Sequence, residues 1–159
     1  QSRMHKGRSV LIICDNINDV KTLEPLIRPH AKEVRRYTRS DNGEVEVIKA
    51  RVGEGVVFVA TNLAGRGTDI KLTDLVNQRG GLHVIVAYLP ANMRVQMQAI
   101  LRTARQGQPG TAEMIVNQER ASQALFKRCP LMEQADTPEQ LIGWRNLAED
   151  ARLKNIRNL

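Results

Sequence analysis

The sequence has no apolar run approaching the roughly 18–20 residues that a membrane-crossing helix needs. Its polar opening reads without a signal peptide. Aromatic residues make up only 3% of the 159 positions. That argues against a reader of single-stranded nucleic acid, whose sites stack bases on exposed rings. Only two cysteines occur, Cys14 and Cys129. They lie far apart, so two free thiols in a reducing compartment are expected. His5, His30 and His83 show no metal-ligand spacing with those cysteines, so no metal site is expected. No GxxxxGK(S/T) phosphate loop is present, nor a strand-borne DE carboxylate pair to hold magnesium and position water. The chain by itself is therefore expected not to hydrolyse a nucleoside triphosphate.

What is there suits a globular domain. The length fits one domain, and a hydrophobic share of 42% is ordinary. The net charge of +7 suits an anionic partner such as nucleotide, nucleic acid or acidic lipid. A solvated basic surface accounts for the same charge, above all for the window Arg28, Lys32, Arg35, Arg36 and Arg39.

Strand-like and helix-like stretches alternate. Residues 9–14 (SVLIIC), 32–37 (KEVRRY), 56–60 (VVFVA), 82–88 (LHVIVAY) and 111–117 (TAEMIVN) read as strands. Asp15 or Asn16 caps a helix whose Ile17, Val20, Leu23 and Ile27 form an apolar stripe, stopped at Pro29. Residues 44–52 (EVEVIKARV) fit a strand or a helix equally well. Residues 71–79 make a short helical or irregular link to Gly80-Gly81. A helix over 118–127 turns Ala121, Ala124 and Leu125 inward and halts by Pro130. Thr137-Pro138-Glu139-Gln140 opens another helix, with Leu141, Trp144, Leu147, Ala148 and Ala151 on its apolar side. This alternation predicts an α/β fold with a parallel sheet and right-handed crossovers.

Two stretches carry the chemistry. At the end of the VVFVA strand, Gly65-Arg66-Gly67-Thr68-Asp69 turns the backbone sharply, at the edge where ligands sit in open parallel sheets. After the 82–88 strand, a helix over 91–104 places Arg94, Gln98, Arg102 and Arg105 in a stripe roughly 80° wide. Met93, Met97, Ile100, Leu101 and Ala104 face the sheet side of that helix. Planar guanidinium groups suit phosphoryl oxygens. On the residues alone, Arg102 and Arg105 equally well neutralise the C-terminal end of a helix dipole. His83, in an apolar strand, reads as a hydrogen-bonded core imidazole, and Cys14 as a small buried hydrophobe.

ATNLAGRGTDI (60–70), GGLHVI (80–85) and QAILRTARQGQPG (98–110) together resemble helicase motifs V and VI of SecA, the preprotein translocase ATPase. The resemblance is to its second RecA-like nucleotide-binding domain, a superfamily 2 helicase C-terminal domain. It is dense from about Val10 to Val116 and weak outside. It implies a polar tail over 1–8, a RecA-like domain over 9–117 and a helical extension over 118–159, and it favours helix for 44–52. Arg102 and Arg105 are then the arginine-finger residues. Gly65, Gly67, Asp69 and Gln98 line the same nucleotide cleft, with Asp69 near the ribose or the coupling network. ATP and its Mg2+ are held by the first RecA-like domain of the same parent, where the phosphate loop and carboxylate pair of this family lie. The resemblance further implies polypeptide cargo or translocation machinery as partners, in a cytoplasmic protein with peripheral membrane contact. The sequence departs from the family pattern QLRGRSGRQG: Ile100 replaces an arginine, and Leu101 and Ala104 replace glycines. Those departures motivate a second reading, a non-catalytic interaction module that kept the fold. The positive charge motivates a third, half of a nucleic-acid helicase.

Overall fold

The structure, a computed structural model, describes residues 7–38, 51–62, 69–128 and 137–157, the side chains at 126–128, 155 and 157 excepted. Five parallel strands, β1 (Val10–Cys14), β2 (Glu33–Tyr37), β3 (Val56–Thr61), β4 (Leu82–Val86) and β5 (Gly110–Met114), form one sheet in the order β2-β3-β1-β4-β5. The central strands are buried end to end because successive side chains enter two different cores. Leu11, Ile13, Phe58, Ala60, Val84 and Val86 pack on one side of the sheet. Val10, Ile12, Cys14, Val57 and Val59 pack on the other, with Val20 of the first helix. That is why these strands read as unbroken apolar runs. The register places Val10 of β1 between Val57 of β3 and His83 of β4.

Helix α1 (Ile17–Ile27) is capped by Asn16, whose side chain accepts from the Asp19 amide at 3.0 Å. Pro29 does not sit at a clean stop: a 3-10 turn, Arg28–His30, carries it before β2. Val20 is fully buried, and Leu23 and Ile27 pack on the sheet. Ile17, at the first turn, stays 40% exposed instead of joining the stripe. Of the 44–52 stretch, only the end is described: Val52 forms an isolated parallel bridge with Leu72. The short helix α2 (Asp74–Gln78) then leads to β4, as the linking stretch suggested.

Helix α3 (Met93–Ile100) is much shorter than the sequence pattern predicts. It is capped at its start by Asn92, which accepts from the Val95 amide, and it ends at Leu101. The sheet-facing side is taken by Ala99, fully buried, and by Ile100. Met93, Met97 and Leu101, expected in the core, are 47%, 40% and 57% exposed. With the helix broken at Leu101, the 100° periodicity no longer carries Leu101 and Ala104 round to the sheet.

Helices α4 (Gln118–Arg128) and α5 (Pro138–Arg157) form a third cluster from Ala121, Leu125 and Leu141, with Leu89, Val116 and Trp144 against it. The capping box is present: the Gln140 amide donates to Thr137 Oγ1, and the Thr137 amide to Gln140 Oε1, both at 3.2 Å. Two expectations fail. Ala124 is exposed on α4, and the apolar side of α5 is covered only over its first turns, leaving Leu147 61% exposed and Ala151 exposed.

Candidate functional site

The sheet's amino end is drawn together by a buried arginine. Arg8, 4% exposed, donates from Nε to the Gly81 carbonyl at 2.9 Å and from Nη2 to the carbonyls of Gly80 and Leu82. His83, 1% exposed, bonds Thr111 Oγ1 at 2.7 Å and Glu113 Oε1 at 2.8 Å, tying β4 to β5. It is a hydrogen-bonded core imidazole, as its place in an apolar strand suggested.

Because α3 runs back against β4, the segment after it returns to the start of that strand. Thr103 Oγ1 donates to the Leu82 carbonyl at 2.6 Å. Ala104 and Gln106 then adopt the left-handed conformation, with φ of 55° and 54°, and a 3-10 turn over Arg105–Gly107 leads to β5. So Arg102 and Arg105 do not lie on α3 at all; they emerge from the bend after it. Ala104 stands where the family pattern has glycine, and a side chain in that conformation costs about 1 kcal/mol. Ala104→Gly is therefore expected to raise stability by roughly 0.5–1 kcal/mol, read as a higher urea midpoint with unchanged slope.

Both arginines nevertheless meet the segments that flank the glycine turn. Arg102 Nη2 donates to the Asn62 carbonyl, just past β3, at 2.8 Å. Arg105 Nη1 stands 3.6 Å from Asp69 Oδ1, and its Nε donates to the Leu101 carbonyl at 3.0 Å. The Arg105–Asp69 pair is well exposed, so it holds the arginine only loosely. Gly65 and Gly67 lie outside the described residues. Gln98 is exposed on α3 and does not line the cleft formed by the others.

That cleft has a volume of about 380 Å³. Asp69, Arg102 and Arg105 line it together with Leu82, the first residue of β4, and Pro109, just before β5. Leu82 and Pro109 mark the amino ends of β4 and β5, while the Arg102 side chain reaches the carboxyl end of β3 at Asn62. Arg51, Lys71 and Asp74 also line the cleft and were missed. The chain brings Lys71 to the cleft in the run 69–72, all four residues of which line it and the last of which forms the bridge with Val52. Four cations (Arg51, Lys71, Arg102, Arg105) against two carboxylates (Asp69, Asp74) leave the lining positive, which favours an oxyanion ligand.

The carboxyl end holds Cys14 and Tyr88. Burial pushes the Cys14 thiol up to about 11 from its ordinary 9.0, and the Asp19 carboxylate adds to the shift. Burial likewise raises the Tyr88 phenol to about 12, with Asp15 adding to it. For Cys14 the stability held by the neutral thiol is complete below pH 9 and is lost as pH rises to about 11. Urea unfolding across that window should show a fall on the order of 2 kcal/mol, and Cys14→Ala should flatten most of it.

An all-parallel five-stranded sheet, covered on both sides and carrying two arginines beside the segment that follows its β3 strand, defines a RecA-like domain of the helicase C-terminal type. Two solved structures share the fold. Domain 2 of the DEAD-box helicase Mss116p, bound to an RNA duplex, matches with a TM-score of 0.56 at 15% identity, over 88% of this chain and 56% of that one. T4 UvsW matches with a TM-score of 0.55 at 14% identity, over 97% of this chain and 30% of that one. The SecA P-loop domain family matches residues 1–79. Protein translocase subunit SecA of Helicobacter pylori strain Shi470 is 37% identical over 119 residues, 72% of this chain and 13% of that protein. Protein translocase subunit SecA 2 of Nitrosospira multiformis is 39% identical over 122 residues, 76% of this chain and 18% of that protein. The chain belongs to the SecA family. It spans less than a fifth of the length of these relatives.

Proposed function

We propose that this chain is the half of a two-domain ATP motor that closes over nucleotide held by its partner domain and supplies the arginines. One observation carries this reading: Arg102 and Arg105 line one positively charged cleft together with Asp69. The residues present suit a polyphosphate. Four cations line a cleft near the lower end of ordinary ligand-pocket sizes, which run from roughly 300 to 1,000 Å³. Arg102 and Arg105 would hold the terminal phosphates, with Lys71 and Arg51 adding positive field along the cleft. ATP, when bound, would supply the phosphoryl bond that these arginines, brought in by closure, help to break. Asp69, opposite Arg105, holds that guanidinium at the rim until phosphate oxygens compete for it. The phosphate loop and Mg2+ site belong to the first RecA-like domain of the parent, and the cargo is a polypeptide.

The chain alone should then show no ATP turnover above buffer background. Adding the preceding half of its parent should restore turnover. A parent protein that fails to bind ATP by direct titration would sink this reading. It would leave the alternative, an interaction module that kept the fold, which the left-handed Ala104 and the exposed Met93 and Met97 favour.

A further inference from the structure

Away from the arginine bend, at the start of α3, lies a second cavity of about 460 Å³. Asn92, Leu125, Arg145, Ala148, Glu149 and Arg152 line it. Its most unusual occupant is Arg145 of α5, which is 1% exposed. The guanidinium is held by neutral acceptors. Nη1 donates to Gln96 Oε1 at 2.6 Å, and Nε and Nη2 both donate to Asn146 Oδ1, at 3.1 and 2.8 Å. Three of its five N–H groups are thus engaged, and no carboxylate pairs with it among the described residues. Burial alone lowers its affinity for its proton, and no neighbouring charge opposes that.

Among the described residues, the one acid in the cavity wall is already answered. Glu149 accepts from Arg152 Nε and Nη2 at 2.9 and 3.0 Å, and from Asn92 Nδ2 at 3.2 Å. With Arg145, Arg152 and Glu149 counted, the wall keeps one net positive charge. The amino-terminal end of α3, at Ala91 and Asn92, lies in the same wall and adds a partial positive charge of its own. A buried guanidinium without a counter-ion is costly to keep, and an apolar residue of similar volume would serve packing as well or better. Leu125 and Ala148 give the cavity wall an apolar part.

We infer that this cavity is a binding site for a small organic carboxylate, its oxygens on Arg145 and its carbon skeleton against Leu125 and Ala148. A guanidinium donates charge-assisted N–H bonds to a carboxylate, and Arg145 has two N–H groups beyond the three engaged. Inorganic phosphate offers the charge without the carbon skeleton. The site is separate from the nucleotide cleft and stands whether or not that reading holds.

Isothermal titration of the full 159-residue chain tests it, with sodium succinate, sodium phosphate and sodium chloride as probes at matched ionic strength. Succinate is expected to give saturable one-site binding with Kd on the order of 1 mM or tighter, at least tenfold tighter than phosphate. Arg145→Met, which removes the charge and keeps the volume, should weaken it at least tenfold. Ala148→Leu, which fills the cavity and leaves Arg145 in place, should do the same, and it decides the matter if the Arg145 variant does not fold. Absence of saturable succinate binding, equal binding of phosphate, or full binding by Ala148→Leu would each overturn the site.

Discussion

Arg105→Ala and Arg102→Ala, each made in the intact parent protein, are expected to lower ATP turnover about 10³-fold, the size of effect an arginine finger carries in phosphoryl transfer. ATP affinity should change far less, because the charge these groups answer develops in the transition state and not in the bound ground state. Lysine at either position should recover little. Arg102 holds the Asn62 carbonyl with one N–H of a planar guanidinium, and a lysine ammonium lacks the further N–H groups in that plane that a phosphoryl group would use. Arg94→Ala serves as the control: Arg94 is an exposed cation on α3 that does not line the cleft, and turnover should stay unchanged. Steady-state turnover together with nucleotide titration separates the outcomes. Turnover equal to wild type in both alanine variants would remove these residues from the chemistry.

The second large effect is structural. A methyl group at Gly110 would fall 1.9 Å from Thr103 Oγ1 and 2.6 Å from the Ala104 amide nitrogen. The bend cannot yield without breaking the Thr103 bond to the Leu82 carbonyl, which fixes the arginine segment to the sheet. Gly110→Ala is expected to cost about 3 kcal/mol, at the upper end for overpacking, or roughly 10 °C in Tm. Gly81→Ala should be comparably severe, since its Cβ would meet the Pro109 carbonyl at 1.8 Å on a backbone with φ of +70°. Gly143 provides the contrast. It lies within α5 with nothing inside 4 Å of an added Cβ, so Gly143→Ala should stabilise by about 0.5–1 kcal/mol. Thermal melts of the three variants, ranked in that order, check the packing directly. A Gly110→Ala protein as stable as wild type would mean that the bend does not pack on β5 as described.

The parallel sheet was legible because its central strands are covered on both sides, which forces runs such as VVFVA to be apolar without alternation. The family was legible from the glycines and arginines of 60–70 and 98–110. The position of the arginines was not. Their stripe was drawn on a helix reaching 104, while α3 stops at Ile100, and the left-handed residues of the bend further on are alanine and glutamine, which gave no sign of it. The coverage of α5 was unreadable for another reason: Leu147 and Ala151 keep a helical spacing that says nothing about whether a neighbour is there. The Arg145–Gln96 contact was equally hidden, since it joins residues 49 apart in sequence.

A bend that holds its left-handed form at Ala104 and Gln106 owes that form to what surrounds it, not to its own residues. Arg8 pulls in the carbonyls before β4, Thr103 anchors beside them, and the missing side chain at Gly110 leaves the space. A synthetic peptide copying residues 98–110 would accordingly relax to ordinary right-handed or extended conformers. Transplanting the stretch onto a foreign scaffold would carry its arginines across and leave their geometry behind.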